Sequence, residues 1–469
     1  MALASLFKLW PTSVAALVLS CLTLLPQGAR AQDTNLTMTI PQARQMAVAS
    51  LAQGRPDIAL KIALGLVKRD PEDPFAYFIL TDAERALRHP KLARRASELA
   101  FKYSKRDADK FQAAQMAAQL AVQANQPTRA QIWLRRSANY APSAEHLDVI
   151  KRDYAILRRI NPWQAKLRFT LSPSSNLNNG SDSPYNIIDG VPLVGILGGS
   201  ARALSGTKAT ADLQFSYRLH QSRKTETRLG GRLYVQRVWL SPQARALAPA
   251  AQNSDFGSTT GEISLNHAIA AADGKGVTRL GLALGQSWYG AQHNYDFARA
   301  DLSYNRKFGA STSSYIATSF EKRRAATGPA NDARLYTIKA GISHRLNTSD
   351  TLAFNLAYTQ NQSDQINAPY RYTTAYATYA LGRPVIGTKL SFLAGASLLD
   401  YPAYSVGFIA VPGGRQDKSA FLGATMVVQN IQFAGFSPQI SLRAVRTHSN
   451  VSRFTNTEYS LAVGIASNF

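Results

Sequence analysis

The side chains of this sequence that could do chemistry are not gathered in the spacings that catalysis needs. Its seven histidines are scattered, and none pairs at the helical spacing of an HExxH zinc site. No GxxxxGK[ST] stretch offers a phosphate cradle. Gly285-Gln286-Ser287-Trp288-Tyr289 misses the GxSxG pattern by one position and reads as strand, not as the strand-to-helix elbow that a nucleophilic serine requires. His448-Ser449 is a neighbouring pair in an expected loop. The single cysteine, Cys21, lies in an N-terminal apolar run that is expected to be removed. A chain without a thiol has no disulfide, no zinc–thiolate site and no cysteine nucleophile. No enzyme, no metal and no cofactor is expected. What remains is the chemistry of cations: the net charge is +24, which suits nucleic acid or an anionic membrane surface.

The elements that carry those cations decide between the two. Lys8 precedes an apolar run from Val14 to Leu25, Pro26 breaks it, and Ala29-Arg30-Ala31 offers small residues for cleavage. Residues 1–31 therefore read as a secretory signal peptide, too short to stay as a membrane helix. The residues before Cys21 fit a lipidation signal poorly. An exported chain is not expected to meet nucleic acid. No later apolar run is long enough to cross a bilayer as a helix, so any membrane-embedded part must be a β-barrel.

Residues 32–160 read as a periplasmic helical domain. Good helix formers dominate, and Gly54-Arg55-Pro56, Arg88-His89-Pro90 and Asn125-Gln126-Pro127 each place proline at the first turn of a new helix. Those prolines are 34 and 37 residues apart. Alternating breaks give helices over 41–53, 56–69, 74–87, 90–104, 107–124, 127–140 and 143–159. A helix-pair period near 34 resembles tetratricopeptide repeats, which stack into a solenoid with a binding groove. Candidate groove residues on the first helix of each pair are Arg44, Tyr77, Arg85, Gln112 and Gln119. The domain is basic, with 21 Lys and Arg against 13 Asp and Glu. An acidic or amphipathic client would suit it, and so would plain solvation of the charge.

Asn161-Pro162-Trp163 ends the helical pattern, and alternation with period two takes over to the end of the chain. The last strand shows it most clearly: Tyr459, Leu461, Val463, Ile465 and the terminal Phe469 share one face. Segments from Leu167 onward repeat the pattern about fourteen times, an even number as an antiparallel membrane barrel requires. Long and short connections alternate, with 289–295 the weak case among the long ones. Trp163, Trp239, Trp288, Tyr358 and Phe469 suit interfacial girdles. The fold class is thus α+β multidomain: an N-terminal all-α tetratricopeptide-like repeat domain, then a C-terminal transmembrane antiparallel β-barrel of about 14 strands over 161–469. Arg168, Arg218, Arg228, Arg232, Arg334, Lys339 and Arg443 interrupt the alternation and should face the lumen. They would line a positive conduit, pair among lumen carboxylates, or face anionic headgroups from the strand ends.

The junction Asn161-Pro162-Trp163 and the stretch Pro173-Ser174-Ser175-Asn176-Leu177-Asn178-Asn179-Gly180 after the first strand, within this domain order, resemble the surface lipoprotein assembly modifier family, the outer-membrane translocon of type XI secretion. The resemblance covers nearly all of the mature chain, and Pro173, Asn176 and Asn178 mark its most specific piece. It implies an outer-membrane protein whose periplasmic repeats engage a client, either a surface lipoprotein or a soluble haem- or metal-binding carrier, and whose barrel delivers that client outward without nucleotide. The terminal alternation ending on Phe469 resembles the signal read by the barrel-assembly machinery. Further expected partners are outer-membrane lipid and lipopolysaccharide, and a monomer is expected. An exopolysaccharide exporter and a simple porin with a helical scaffold are the rival readings.

Overall fold

The computed structural model describes residues 38–467 other than 193, 328–331, 430, 432, 434 and 435. The expected signal peptide and the terminal Phe469 lie outside the described residues. The chain divides into two compact units, one ending at Asn161 and the other beginning at Pro162.

Among the described residues the first unit holds seven helices: α1 (Ile40–Ala52), α2 (Pro56–Arg69), α3 (Pro74–Ala86), α4 (Pro90–Tyr103), α5 (Asp107–Gln123), α6 (Pro127–Ala138) and α7 (Ala144–Ile160). Each lies within two residues of its expected span. Thr39, Asp73 and Ser143 cap α1, α3 and α7 through their side-chain oxygens. The repeat is visible in the backbone. Gly54, Arg88 and Asn125 all adopt positive φ, at 70°, 62° and 54°. In each case the following N–H reaches back to the helix before it: Arg55 to Ser50 O, His89 to Glu84 O and Gln126 to Ala121 O. This left-handed helix stop is what places the proline of the next helix. Fully buried alanines, among them Ala59, Ala63, Ala83, Ala100, Ala117 and Ala130, let the helices approach closely, and Leu120, Leu134 and Ile150 fill the remaining space. Arg88 occupies a turn that disfavours a side chain. Arg88→Gly is therefore expected to stabilise this unit by about 0.5–1 kcal/mol, read as a rise in its thermal midpoint.

The second unit is a closed antiparallel barrel of fourteen strands. Its first part runs through β1 (Trp163–Ser174), a short hairpin of β2 (Tyr185–Ile187) and β3 (Val194–Ile196), β4 (Gly206–Gln221), β5 (Thr225–Leu240), a short helix α8 (Pro242–Leu247), β6 (Ser258–Ala270), β7 (Gly276–Tyr289) and β8 (Gln292–Phe308). Then follow β9 (Thr312–Ala325), β10 (Ala333–Arg345), β11 (Thr351–Gln362), β12 (Tyr370–Ala380), β13 (Thr388–Tyr401), a second hairpin of β14 (Ser405–Val406) and β15 (Ile409–Ala410), β16 (Arg415–Val428), β17 (Phe436–Ser449) and β18 (Asn456–Ser467). β1 pairs with both β4 and β18, which closes the ring. Each of the fourteen or so expected segments falls on a barrel strand, the last of them as far as Ser467. The two hairpins and α8 sit inside segments read from the sequence as plain loops.

One face of every strand is apolar and open to the outside. Leu284, Ile263 and Leu422 are 68%, 67% and 63% exposed, values that water would not tolerate over a whole ring but lipid requires. Tyr459, Leu461, Val463 and Ile465 of β18 belong to this outer face. The connections at the end where β1 begins are short, such as 222–224, 271–275 and 309–311. Those at the far end include 175–205, 241–257 and 402–414, and the weak case there is a two-residue turn, Gly290-Ala291, with both φ positive. Far-end loops 175–205, 402–414 and 450–455 fold against one another, burying Ile188, Val411 and Val451.

One lumen assignment is overturned. Arg334 lies two residues before the outward Tyr336 and four before the outward Ile338, so it shares their outer face at the far rim. Its cross-strand partner is Lys322. A strand has only two faces, and counting by twos from the apolar residues puts this arginine outside.

Candidate functional site

The barrel lumen is built from the inward positions of the strands, and it has two unlike arcs. Over β4 to β9 it is charged and self-paired. Arg232 Nε meets Asp212 Oδ1 at 2.8 Å. Arg228 Nε meets Glu226 Oε1 at 2.6 Å, and Arg218 reaches the same carboxylate at 3.8 Å. Arg299 spans three carboxylates: Asp301 at 3.0 Å, Glu262 at 3.2 Å and Glu321 at 3.6 Å. Arg323 binds Glu321 from the other side at 2.7 Å. Over β12 to β18 the lumen is instead lined with hydroxyls and rings, among them Tyr372, Thr374, Tyr376, Ser419, Phe421 and Thr447, around a hollow of about 800 Å³. Arg443 sits over the Phe421 ring at 5.6 Å there. Of the cations expected in the lumen, Arg218, Arg228 and Arg232 are thus matched by carboxylates. Arg168, which stands across from Asp212 in the register, Lys339 and Arg443 carry no ion pair among the described residues. Of the readings open for these cations, pairing with lumen carboxylates is the one that holds over the β4 to β9 arc for Arg218, Arg228 and Arg232. Near the far rim Arg415 is buried, paired to Asp417 at 2.5 Å and stacked on Phe454 and Tyr401.

The candidate groove residues of the helical unit do not form one site. Tyr77 is buried, stacked on Tyr103 at 5.6 Å, and its hydroxyl donates to Pro71 O at 2.9 Å. Burial pushes that hydroxyl above the usual tyrosine range. It is a core residue, because the apolar face of α3 turns it inward. Arg44 is held by Asp73 at 2.8 Å and lies over Phe75, and Arg85 is paired to Asp82 at 2.8 Å. Gln112 is exposed and Gln119 half-buried on α5.

A different set converges on the second helices of the pairs. Residues of α4 and α6, with Lys110 of α5 and Tyr140, line a hollow of about 740 Å³. Its floor is aromatic: Trp133 meets Phe101 edge-on at 5.3 Å, and Phe101 meets Tyr140 at 5.7 Å. Arg95, Lys102, Lys110, Arg129 and Arg136 supply its charge, and Glu98 is its one acid. Glu98 is already committed, to Arg94 and to Trp133 Nε1 at 2.9 Å. The sequence carried a signal for this set: α6 holds Arg129, Arg135 and Arg136 with no acidic residue to balance them.

The family-like motif residues have structural employment. Asn161 is 1% exposed, and its Nδ2 donates to Gln131 Oε1 at 2.7 Å and to Thr128 Oγ1 at 3.1 Å. Asn161→Ala strands these partners and is expected to cost the helical unit about 1–3 kcal/mol, measured by thermal unfolding of the full chain. Pro162 offers its carbonyl to Arg218 N at 2.9 Å. Trp163 packs on Tyr217 on the outer face at 4.8 Å. Pro173 pairs with Thr207 on β4. Asn176 closes a ring with Gly180 through two hydrogen bonds of 2.8 Å. Asn178 donates to Ser200 O at 2.9 Å and to Arg202 O at 2.8 Å, and accepts from Leu204 N at 2.9 Å. The two asparagines thus substitute for a backbone ladder and pin both ends of the longest far-end loop.

No protein-family model matches the chain, and no curated protein does. Among solved structures, the Yersinia enterocolitica type III secretion translocator chaperone SycD is similar over 26% of this chain and 82% of its own, at 19% identity and a TM-score of 0.23. A bacterial polysaccharide outer membrane secretin is similar over 64% of this chain and 98% of its own, at 9% identity and a TM-score of 0.32. CdiB from Acinetobacter baumannii is similar over 64% of this chain and 60% of its own, at 12% identity and a TM-score of 0.35.

Proposed function

We propose that this protein is an outer-membrane translocon that exports or surface-displays specific client proteins, lipoproteins or soluble haem- or metal-binding carriers. The observation that carries the reading is the covalent union of a helical repeat unit, which bears a cation-rich aromatic hollow, with a closed fourteen-strand membrane barrel. The resemblance of Asn161-Pro162-Trp163 and of the Pro173–Gly180 stretch to the surface lipoprotein assembly modifier family supports the same reading. In it the repeats stand in the periplasm and raise the local concentration of client at the barrel, and folding of the client outside biases movement outward.

A rival has one observation in its favour. The hydroxyl and aromatic arc over β12 to β18 suits sugar rings, as an exopolysaccharide exporter would need. Against it, the opposite arc neutralises its own cations, which an acidic polymer would have required free.

The test compares surface-shaved and secreted proteins between wild type, a gene deletion and a chain lacking 32–161. Loss of one or two specific proteins from the surface or medium, with retention inside, is the expected result and identifies the client. Normal export by the truncated chain would remove the repeats from the mechanism. Unchanged proteins with a lost extracellular sugar would favour the rival, and no change in either would leave a simple porin.

A further inference from the structure

The sequence places a binding groove on the first helices of the pairs, but the strongest unbalanced chemistry lies on the second helices, α4 and α6. Five cations ring one hollow there: Arg95, Lys102, Lys110, Arg129 and Arg136. None of them carries an ion pair among the described residues. The one carboxylate in the hollow is taken by Arg94 and Trp133. Three cations are parked over rings instead: Arg136 over Trp133 at 4.4 Å, Lys110 over Tyr140 at 5.1 Å and Lys102 over Tyr103 at 4.9 Å. An ordinary solvated helix face intersperses both signs. Like charges gathered around a concavity repel one another, and a bound anion removes that cost. The hollow also offers apolar contact, from Leu99, Ile132 and the edges of Phe101 and Trp133.

We infer that this second-helix hollow binds an acidic peptide segment carrying an aromatic or large aliphatic side chain, with its carboxylates on Arg95, Arg129 and Arg136 and its apolar side chain against Phe101, Trp133 and Ile132. The inference rests on the client reading above and assigns the chemistry of the client segment. A peptide suits the site better than a lipid surface because the charges face into a concavity that a flat layer of headgroups does not enter. The parked cations explain how the empty site tolerates its charge, and Arg136 exchanges the Trp133 ring face for a carboxylate when the segment arrives.

The experiment uses the full-length protein in neutral detergent micelles and a fluorescein-labelled peptide in which glutamates flank a phenylalanine. Saturable binding that weakens with added salt is expected. A peptide with glutamines in place of the glutamates should bind at least about tenfold more weakly, as should the combined variant Arg95→Glu, Arg129→Glu, Arg136→Glu, the sum of several modest ion pairs. Arg129→Gln with Arg136→Gln is a milder second variant, with a smaller loss in the same direction, and thermal unfolding verifies that both fold. Equal binding of the two peptides, or undiminished binding by the folded variants, overturns the inference. So does binding to phosphatidylcholine–phosphatidylglycerol vesicles that the variants lose while peptide binding is absent. In cells, a variant that has lost peptide binding but still exports every client also overturns it and leaves the translocon reading standing. If instead deletion of the gene changes no surface or secreted protein, that reading fails while the peptide measurement on purified protein stands on its own.

Discussion

Gly464→Val is expected to leave much of the protein outside the folded, closed state. Gly464 stands opposite Thr170 where β18 meets β1, the one seam that joins the two ends of the sheet. A Cβ at this position would lie 2.6 Å from the carbonyl oxygen of Phe169 and 3.1 Å from Thr170 Cγ2. The first of those atoms is backbone and cannot swing aside, so the strands must part. Overpacking of this kind costs about 1–3 kcal/mol in an ordinary core. Here the same displacement also strips hydrogen bonds from two edges that lipid cannot satisfy, so the upper end of that range applies. The folded band on an unheated denaturing gel, with the unfolding temperature of whatever folds, measures it. Gly261→Ala is the control, since its Cβ would meet nothing within 4 Å. A Gly464 variant that assembles like the control would show that the seam yields elsewhere.

Arg299→Gln is expected to destabilise the barrel by about 2–3 kcal/mol, below the full penalty for an uncompensated buried charge because the site is partly open to solvent. Arg299 contacts Glu262, Asp301 and Glu321, whose side chains are 13%, 43% and 15% exposed. Removing the arginine leaves Glu321 with Arg323 but takes from Glu262 its ion-pair partner. Adding Glu262→Gln should recover part of the loss, and that recovery isolates the pair. Arg299→Lys should fall between, because an ammonium cannot serve three carboxylates in fixed directions. Urea unfolding of the refolded protein reads these three variants against wild type, and an Arg299→Gln protein as stable as wild type would sink the idea that these pairs hold the charged arc together.

The two predictions mark where sequence reading reached its limit. Apolar alternation identified the strand segments, and the even count and the short turns followed from it. The pairing of Arg299 with residues 37 positions before and 22 after it did not, because ion pairs across strands depend on register and on rotamers that spacing leaves open. The neutralised arc was therefore one of several open readings until the register was known. Arg334 was misplaced by parity alone: near a strand end, where alternation fades into loop composition, only counting from Tyr336 assigns the face. On the helical side, the position of a cap does not fix helix rotation, so spacing alone does not separate a groove residue from Tyr77, which is buried. The lack of acids on α6 is visible in the sequence, but the hollow between α4 and α6 is not. Its residues come from three helices, and their convergence depends on how the pairs stack.

The sequence by itself determined the helix period, the breaks ahead of Pro56, Pro90 and Pro127, the change of period after Asn161 and a lipid-facing strand set of even number. These are local properties, fixed by backbone sterics and by which side of a helix or strand is apolar. The tertiary structure alone decided that the ring closes from β1 to β18, that most lumen arginines over β4 to β9 are neutralised while the opposite arc presents hydroxyls and rings, that Asn176 and Asn178 serve as loop clamps, and that the unbalanced cations of the repeats meet on the second helices. Each of these depends on which distant residues come within a few ångströms of one another, and that distance is set by packing and register rather than by composition.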